Sequence, residues 1–290
     1  MKDKKTELIS CPCCKKSESY PWAVENGFTA VKCLNCGFVY VNPRPVEFLI
    51  NDAVKTGVHS DVDHNRTAIA RRVKSNIPLY EKTIGEMYSD VWSEHKKISW
   101  LDIGAGYGEF IEAISRLATS DSKILGIEPM KPKVENALKR GLNIKECYLK
   151  DINEQFDYIS LVNVFSHIPE FDVFLIELKK ILAPGGEFFM ETGNIGDLSS
   201  YKEVPSELDL PDHLVFAGEE NIFTFLNNAG FEIVAIKRRR KDGFINFAKS
   251  IIKKMMGRQI TLALPYTSKY RSLLIRAKLK KSTINGSINE

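Results

Sequence analysis

Leu101-Asp102-Ile103-Gly104-Ala105-Gly106-Tyr107-Gly108 decides how the rest of the chain reads. An apolar run, Ile98–Ile103, leads into it, and a helical pattern, Glu109–Leu117, leaves it. Glycines at such a corner let the backbone turn sharply and approach a ligand without a Cβ clash. The helix that opens behind them offers unpaired N–H groups to an anion. Asp102, at the mouth of the loop, is placed to meet an amino group. The spacing is G-x-G-x-G, whereas a dinucleotide fold more usually shows G-x-G-x-x-G. An aminoacyl-nucleoside therefore suits this loop better than a pyrophosphate.

Outward from the loop, apolar runs alternate with helical patterns. Ile98–Ile103, Lys123–Glu128, Asp157–Val162 and Glu187–Glu191 read as buried strands, with helices at Glu109–Leu117, Pro132–Arg140 and Phe171–Leu182. Glu219–Ala229 adds a helix stopped by Gly230, and Phe231–Ile236 a further strand. This alternation predicts an α/β domain with a parallel sheet and helices on both faces. Glu128 closes the second strand, where a carboxylate accepts both hydroxyls of a ribose.

These residues resemble the class I S-adenosylmethionine-dependent methyltransferases. Asp102–Gly108 is similar to that family's first motif, and Glu128 to its ribose-binding acid. Phe156–Ser160 resembles the fourth strand, and Asn163–Pro169 the loop after it. Ile181-Leu182-Ala183-Pro184-Gly185-Gly186 resembles the turn before the fifth strand, and Asn228-Ala229-Gly230-Phe231 the step before the sixth. The resemblance covers about residues 98–236. It implies a Rossmann-like methyltransferase fold, a mostly parallel seven-stranded sheet flanked by helices. It further implies that Asp102, Gly104, Ala105 and Gly106 receive the methionine end of S-adenosylmethionine. Glu128 and Pro129 would then hold the ribose, Asp151 and Ile152 line the adenine, and Asn163 stand beside the sulfonium.

Five of the six cysteines lie before residue 45. Cys11-Pro12-Cys13-Cys14 and Cys33-Leu34-Asn35-Cys36 form two C-x-x-C knuckles, which together complete a tetrahedron for Zn²⁺. Cys11, Cys14, Cys33 and Cys36 are the expected ligands, with Cys13 able to replace Cys14. Four thiolates leave no open position, so the metal is structural. Cys33–Pro45 resembles the N-terminal zinc ribbon of bacterial methyltransferases in sugar and polysaccharide pathways; similar ribbons precede some ribosomal-RNA methyltransferases. The expected division is a ribbon at 1–45, a helical connector at 46–97, the cofactor domain at 98–250 and basic C-terminal helices and tail at 251–290. In the connector, Ile69, Val73 and Ile77 recur at helical spacing and Pro78 breaks or kinks the run.

The 290 residues carry a net charge of +4. From Lys237 onward there are 15 basic and 2 acidic residues, against 26 and 35 in the rest. A basic tail on an acidic body suits an anionic membrane surface, a phosphate-bearing substrate or nucleic acid. Phe244, Phe247, Ile251 and Met255 share one helical face there, although Phe244–Ala248 also reads as a strand that completes the sheet. No apolar run reaches bilayer length and no signal-peptide stretch opens the chain, so a cytoplasmic protein, peripheral at the membrane's inner face, is expected. Methyl transfer needs an in-line nucleophile and often a base. His167 and His213 are the candidate bases, both on the side where substrate enters. A nucleophile elbow is lacking, which argues against hydrolase chemistry. The leading reading is methyl transfer to a small-molecule or sugar/glycan acceptor; an RNA methyltransferase and a non-catalytic assembly module are the alternatives.

Overall fold

The computed structural model describes residues 5–57, 76–205, 207–240, 243–255 and 267–280. The N-terminal module is built from short strands: β1 (Thr6–Glu7), β2 (Ser19–Glu25), β3 (Phe28–Cys33), β4 (Val39–Val41) and β5 (Arg44–Pro45). Strands β2, β3 and β4 pair antiparallel, and β1 pairs with β5. The β2–β3 corner is Asn26-Gly27, both at positive φ (51° and 79°), the conformation that a two-residue hairpin turn demands and that Asn-Gly supplies cheaply.

The connector contributes α1 (Glu47–Thr56), α2 (Ile77–Met87) and α3 (Ser89–Ser93). Pro78 sits in the first turn of α2, where its missing N–H costs nothing. The part of the expected helix carrying Ile69 and Val73 lies outside the described residues. Tyr88 of the α2–α3 junction, with Trp100, Phe110, Phe189 and Leu274, fills the core on one face of the main sheet.

That sheet belongs to a continuous α/β unit. Its elements are β6 (Ser99–Ile103), α4 (Glu109–Leu117), β7 (Lys123–Ile127), α5 (Lys131–Lys139), β8 (Ile144–Lys145), β9 (Phe156–Val162), α6 (Phe171–Lys180), β10 (Leu182–Gly193), β11 (Val215–Phe216), α7 (Glu219–Asn228), β12 (Phe231–Arg239), α8 (Phe244–Met255) and β13 (Ser272–Leu279). Seven strands lie in the order β12-β13-β10-β9-β6-β7-β8. Neighbours from β10 to β8 are parallel, while β13 runs antiparallel to both β10 and β12. This is the Rossmann-like sheet expected from the sequence. Strand order reverses between β6 and β9, the place where such sheets open a crevice for a ligand.

Two features differ from the sequence reading. Phe244–Met255 takes the helical of its two readings, and the strand that completes the sheet is instead Ser272–Leu279, inside the region read as basic helices and tail. Leu273, Leu274, Ile275 and Ala277 are buried there, but Arg276 interrupts the apolar pattern. Its guanidinium is neutralised by Asp90 (2.8 and 2.7 Å) and Glu187 and stacks 4.2 Å from the Tyr88 ring centre. The second feature is β11. It lies in the long connection after β10 and pairs with β4, so the domain lends the ribbon its fourth strand. Cys33, Phe38 and Tyr40 of the ribbon share a core with Phe165, Phe171 and Phe225.

Candidate active site and metal centre

The glycine loop leaves β6 at its carboxyl end. Gly104, Gly106 and Gly108 have φ of 68°, 56° and 78°, a region that disfavours any residue with a Cβ. At Gly104 the reason is also steric: a Cβ there would stand 2.5 Å from Val164 Cγ2. At Gly106 it would meet nothing within 4 Å. The space on that side is a cavity of about 370 Å³, bounded among others by Tyr80, Asp102, Phe110, Lys133 and Asn163. Ala105 fixes the loop, its N–H donating to Ile127 O of β7 at 3.0 Å.

Asp102 is 2% exposed and accepts a 2.6 Å hydrogen bond from Ser160 Oγ. Trp100 Nε1 donates to the same hydroxyl at 2.9 Å. Burial pushes the Asp102 carboxyl up to about 7, against the opposing pull of the Ser160 bond. Glu128, directly after β7 and likewise buried, accepts the N–H of Gly106 at 2.9 Å and of Met130 at 3.1 Å. Lys133 Nζ stands 3.8 Å from it. Glu109, the first residue of α4, lines the same cavity, and its Oε1 is buried without a hydrogen-bond partner. Two acidic side chains, Asp102 and Glu109, against one Lys133 in the wall suit a ligand that brings positive charge.

Asn163 also lines the cavity. It takes φ of 57° and donates its N–H to Glu191 O at 2.9 Å. Glu128, Pro129, Asp151 and Ile152 stand outside the cavity wall. Asp151 caps a short turn by accepting Tyr148 N–H at 2.9 Å, and Ile152 is buried in the core. Tyr80, Glu109, Lys133 and Ser160 were not singled out by the sequence. Tyr80 comes from α2 and Ser160 from mid-β9, and only the folded sheet brings them to the loop.

His167 and His213 meet. Their ring centres are 4.6 Å apart and the planes are nearly perpendicular, at 68°. His167 Nδ1 lies 2.8 Å from Asp212 O, and His213 Nδ1 lies 2.7 Å from Leu208 O. A carbonyl only accepts, so each Nδ1 carries the hydrogen. Burial and the neighbouring His213 drive His167 down to about 4, which leaves it neutral at pH 7 and opposes its protonation. Lys133, in the cavity wall, also acts on His167.

The two cysteine knuckles converge. Cys11 Sγ and Cys36 Sγ are 3.6 Å apart, Cys14 Sγ and Cys33 Sγ 3.5 Å, and all four sulfurs lie within 4.8 Å of one another. Tetrahedral Zn²⁺ with bonds of about 2.3 Å requires sulfurs about 3.8 Å apart, so the quartet fits the ion. Cys13 stands aside: Asn221 Nδ2 points to its sulfur at 3.8 Å and donates to Cys36 O at 2.9 Å.

A family model described as a methyltransferase domain matches residues 66–236, more than half of the chain. Among curated proteins, the mitochondrial ubiquinone biosynthesis O-methyltransferase of Homo sapiens is 30% identical over 112 residues, 34% of this chain and 30% of that protein. That of Dictyostelium discoideum is 28% identical over 113 residues, 32% of this chain and 35% of the relative. The match thus spans about a third of each relative's length. Among solved structures, one from Galdieria sulphuraria described as a sarcosine dimethylglycine methyltransferase superposes with a TM-score of 0.54 at 14% identity, over 69% of this chain and 85% of that one. A coclaurine N-methyltransferase bound to N-methylheliamine and SAH gives 0.50 at 12% identity, over 68% and 72%. At these identities the likeness is one of fold.

Proposed function

The chain belongs to the methyltransferase-domain family, and from that premise we propose that it transfers a methyl group from S-adenosylmethionine to a small-molecule acceptor. The observation that carries this reading is the acidic, open-sided glycine cavity with a neutral histidine on the same sheet edge. Bound there, the cofactor supplies an electrophilic methyl on a sulfonium. Asp102 and the unpartnered Glu109 oxygen would meet its ammonium end, Gly104 and Gly106 would leave room for its backbone-like portion, and Glu128 would take the ribose hydroxyls. Asn163, in the cavity wall, would stand next to the reacting end.

The histidine pair then serves the acceptor. Nε2 of His167 or His213 would take the proton of an acceptor hydroxyl while that oxygen receives the methyl group, S-adenosylhomocysteine being the leaving product. The carbonyls of Asp212 and Leu208 hold the rings and stabilise the imidazolium that forms. A hydroxyl acceptor is also in keeping with the O-methyltransferases among the relatives, and the sugar or glycan acceptor read from the ribbon is a narrower case of it. Four cysteines would hold a zinc ion with no coordination site left for substrate.

The test is calorimetry with S-adenosylhomocysteine, followed by transfer of labelled methyl to a panel of phenols, catechols, sugars and RNA. Binding with transfer to a small hydroxylated compound is the expected result. Transfer to RNA alone would establish the nucleic-acid alternative, and no binding at all the non-catalytic one. We also infer that α8 rests on anionic membrane: among the described residues no helix is long and apolar enough to cross one, and Ile252 and Met255 are exposed within a basic segment. Equal sedimentation of the wild type and of an Ile252→Asp/Met255→Asp variant with anionic vesicles would refute this.

A further inference from the structure

Glu25 stands at the end of β2, in the ribbon, yet its partners lie in the connection between β10 and β11. Oε1 accepts the N–H of Asp209 (2.7 Å) and Leu210 (3.2 Å), and Oε2 that of Leu208 (2.9 Å). Asn26 Nδ2, the next residue, donates to Leu210 O at 2.7 Å. A carboxylate collecting three backbone N–H groups is a strong, directional clamp. The peptide it holds is the one whose carbonyl, Leu208 O, receives His213 Nδ1.

The ribbon grips the far side of the same histidine. Val41 N of β4 donates to Leu214 O at 2.9 Å, and Leu214 N donates to Ser166 O at 2.7 Å. One β4 hydrogen bond therefore reaches the residue after His213 and, one step on, the residue before His167. Phe38, fully buried, packs edge-on against Phe165 with ring centres 6.5 Å apart, two residues before His167. Phe38 is itself tied to the metal knuckle, since Cys33 N donates to its carbonyl at 2.9 Å. None of the clamp residues lines the glycine cavity.

We propose that the ribbon is a positioning element of the acceptor site: Glu25, the β4 amides and Phe38 hold the two loops that bring His167 and His213 together. The proposal rests on the methyltransferase reading for the word acceptor. It goes beyond that reading in giving the metal-bearing module a task other than stapling the N-terminus. Neither histidine lies on an α-helix or a strand of the main sheet; His167 ends a single 3-10 turn and His213 sits in a loop. Loops alone hold such a pair loosely, and half an ångström of slack matters to proton transfer. The groups that set the environment of His167 are His213, Asp212 and Lys133 of α5, so spreading the loops changes what the ring feels.

The test uses the full, zinc-loaded chain and two readouts: imidazole titration by ¹H–¹³C NMR, and binding of S-adenosylhomocysteine by calorimetry. Glu25→Ala removes the clamp and leaves metal ligands and cavity alone; Glu25→Gln keeps one acceptor oxygen. Phe38→Leu is the second probe and retains an apolar side chain. Glu25→Ala and Phe38→Leu are expected to raise the His167 midpoint by at least one pH unit, toward ordinary imidazole, with the dissociation constant changed less than about twofold. Glu25→Gln should recover most of the wild-type midpoint. An unmoved His167 midpoint in both variants, with binding intact, would overturn the proposal and leave the methyltransferase reading standing. Parallel loss of binding would also overturn it, by making the ribbon a general stabiliser. A wild-type chain that binds no S-adenosylhomocysteine would overturn the methyltransferase reading as well, and the two failures are told apart by that control.

Discussion

Acidification should weaken cofactor binding through one group, Asp102. Its carboxyl is held at about 7 by burial, and in the role proposed for it the charged form would meet the cofactor's ammonium. Binding below pH 7 must therefore strip a proton from the site. At pH 5.5, about 1.5 units below that midpoint, about 3% of the carboxyl is ionised, so affinity should fall about 30-fold, or about 2 kcal/mol. Calorimetry with S-adenosylhomocysteine at pH 5.5, 6.5, 7.5 and 8.5, in two buffers of different ionisation heat, reads both the affinity and the released proton. The wild type should tighten up to about pH 7 and then level off, whereas Asp102→Asn should bind weakly and without pH dependence. The same carboxyl acts oppositely on the ligand-free fold. Between its ordinary 3.8 and about 7 the unfolded chain has lost a proton that the folded chain keeps. The stability present below 3.8 is thus lost as pH rises through 7, by up to about 4 kcal/mol. Asp102→Asn should therefore melt above the wild type at pH 8 without ligand, with the gap closing by pH 4. A wild-type dissociation constant equal at pH 5.5 and 7.5 would refute the reasoning, because the carboxyl would then be ionised throughout.

Other outcomes follow from geometry. Gly104→Ala forces a Cβ against Val164 at a positive φ and should cost about 2 kcal/mol of stability and weaken cofactor binding, read by thermal melting and calorimetry. Cys13→Ser should retain one zinc per chain in a colorimetric metal assay, and Cys14→Ser should lose it, because only Cys14 joins the quartet. Arg276→Met should destabilise the fold by about 3 kcal/mol in urea titration, since it leaves the largely buried Glu187 without its cation. Glu128→Ala removes the acceptor of two loop N–H groups and should lower S-adenosylhomocysteine affinity at least tenfold by calorimetry, with zinc content unchanged.

The parts of the fold and site that could be read in the sequence are those whose physics is local. A strand that ends on Asp102 and a run of glycines fixes a corner whatever surrounds it, and two C-x-x-C knuckles announce a quartet of thiolates. Alternation of apolar runs and helical stripes located β6, β7, β9 and β10. What escaped was decided across the fold. Strand β13 is hidden by Arg276, whose charge is tolerable only because Asp90 and Glu187 arrive from α3 and β10. Strand β11 has two residues and no pattern of its own; it is a strand only because β4 lies beside it. Cys-Pro-Cys-Cys offers two spacings to a metal, and the position of Asn221 against Cys13 separates them. Ser160 reads as an ordinary small residue in a buried strand, until the register of β9 against β6 sets it opposite Asp102.

The place of β13 has a consequence for how the chain is made. Strands β10 and β12 are no neighbours, and the gap between them is filled by residues that leave the ribosome after both. Until Leu279 has emerged, the nascent chain carries two unpaired strand edges side by side, one of them on the apolar β10. Bare edges of this kind invite pairing with other chains. Premature termination between Arg239 and Ser272 would thus yield a sticky fragment rather than a smaller version of the protein, although the whole glycine loop and every cysteine would already be present in it.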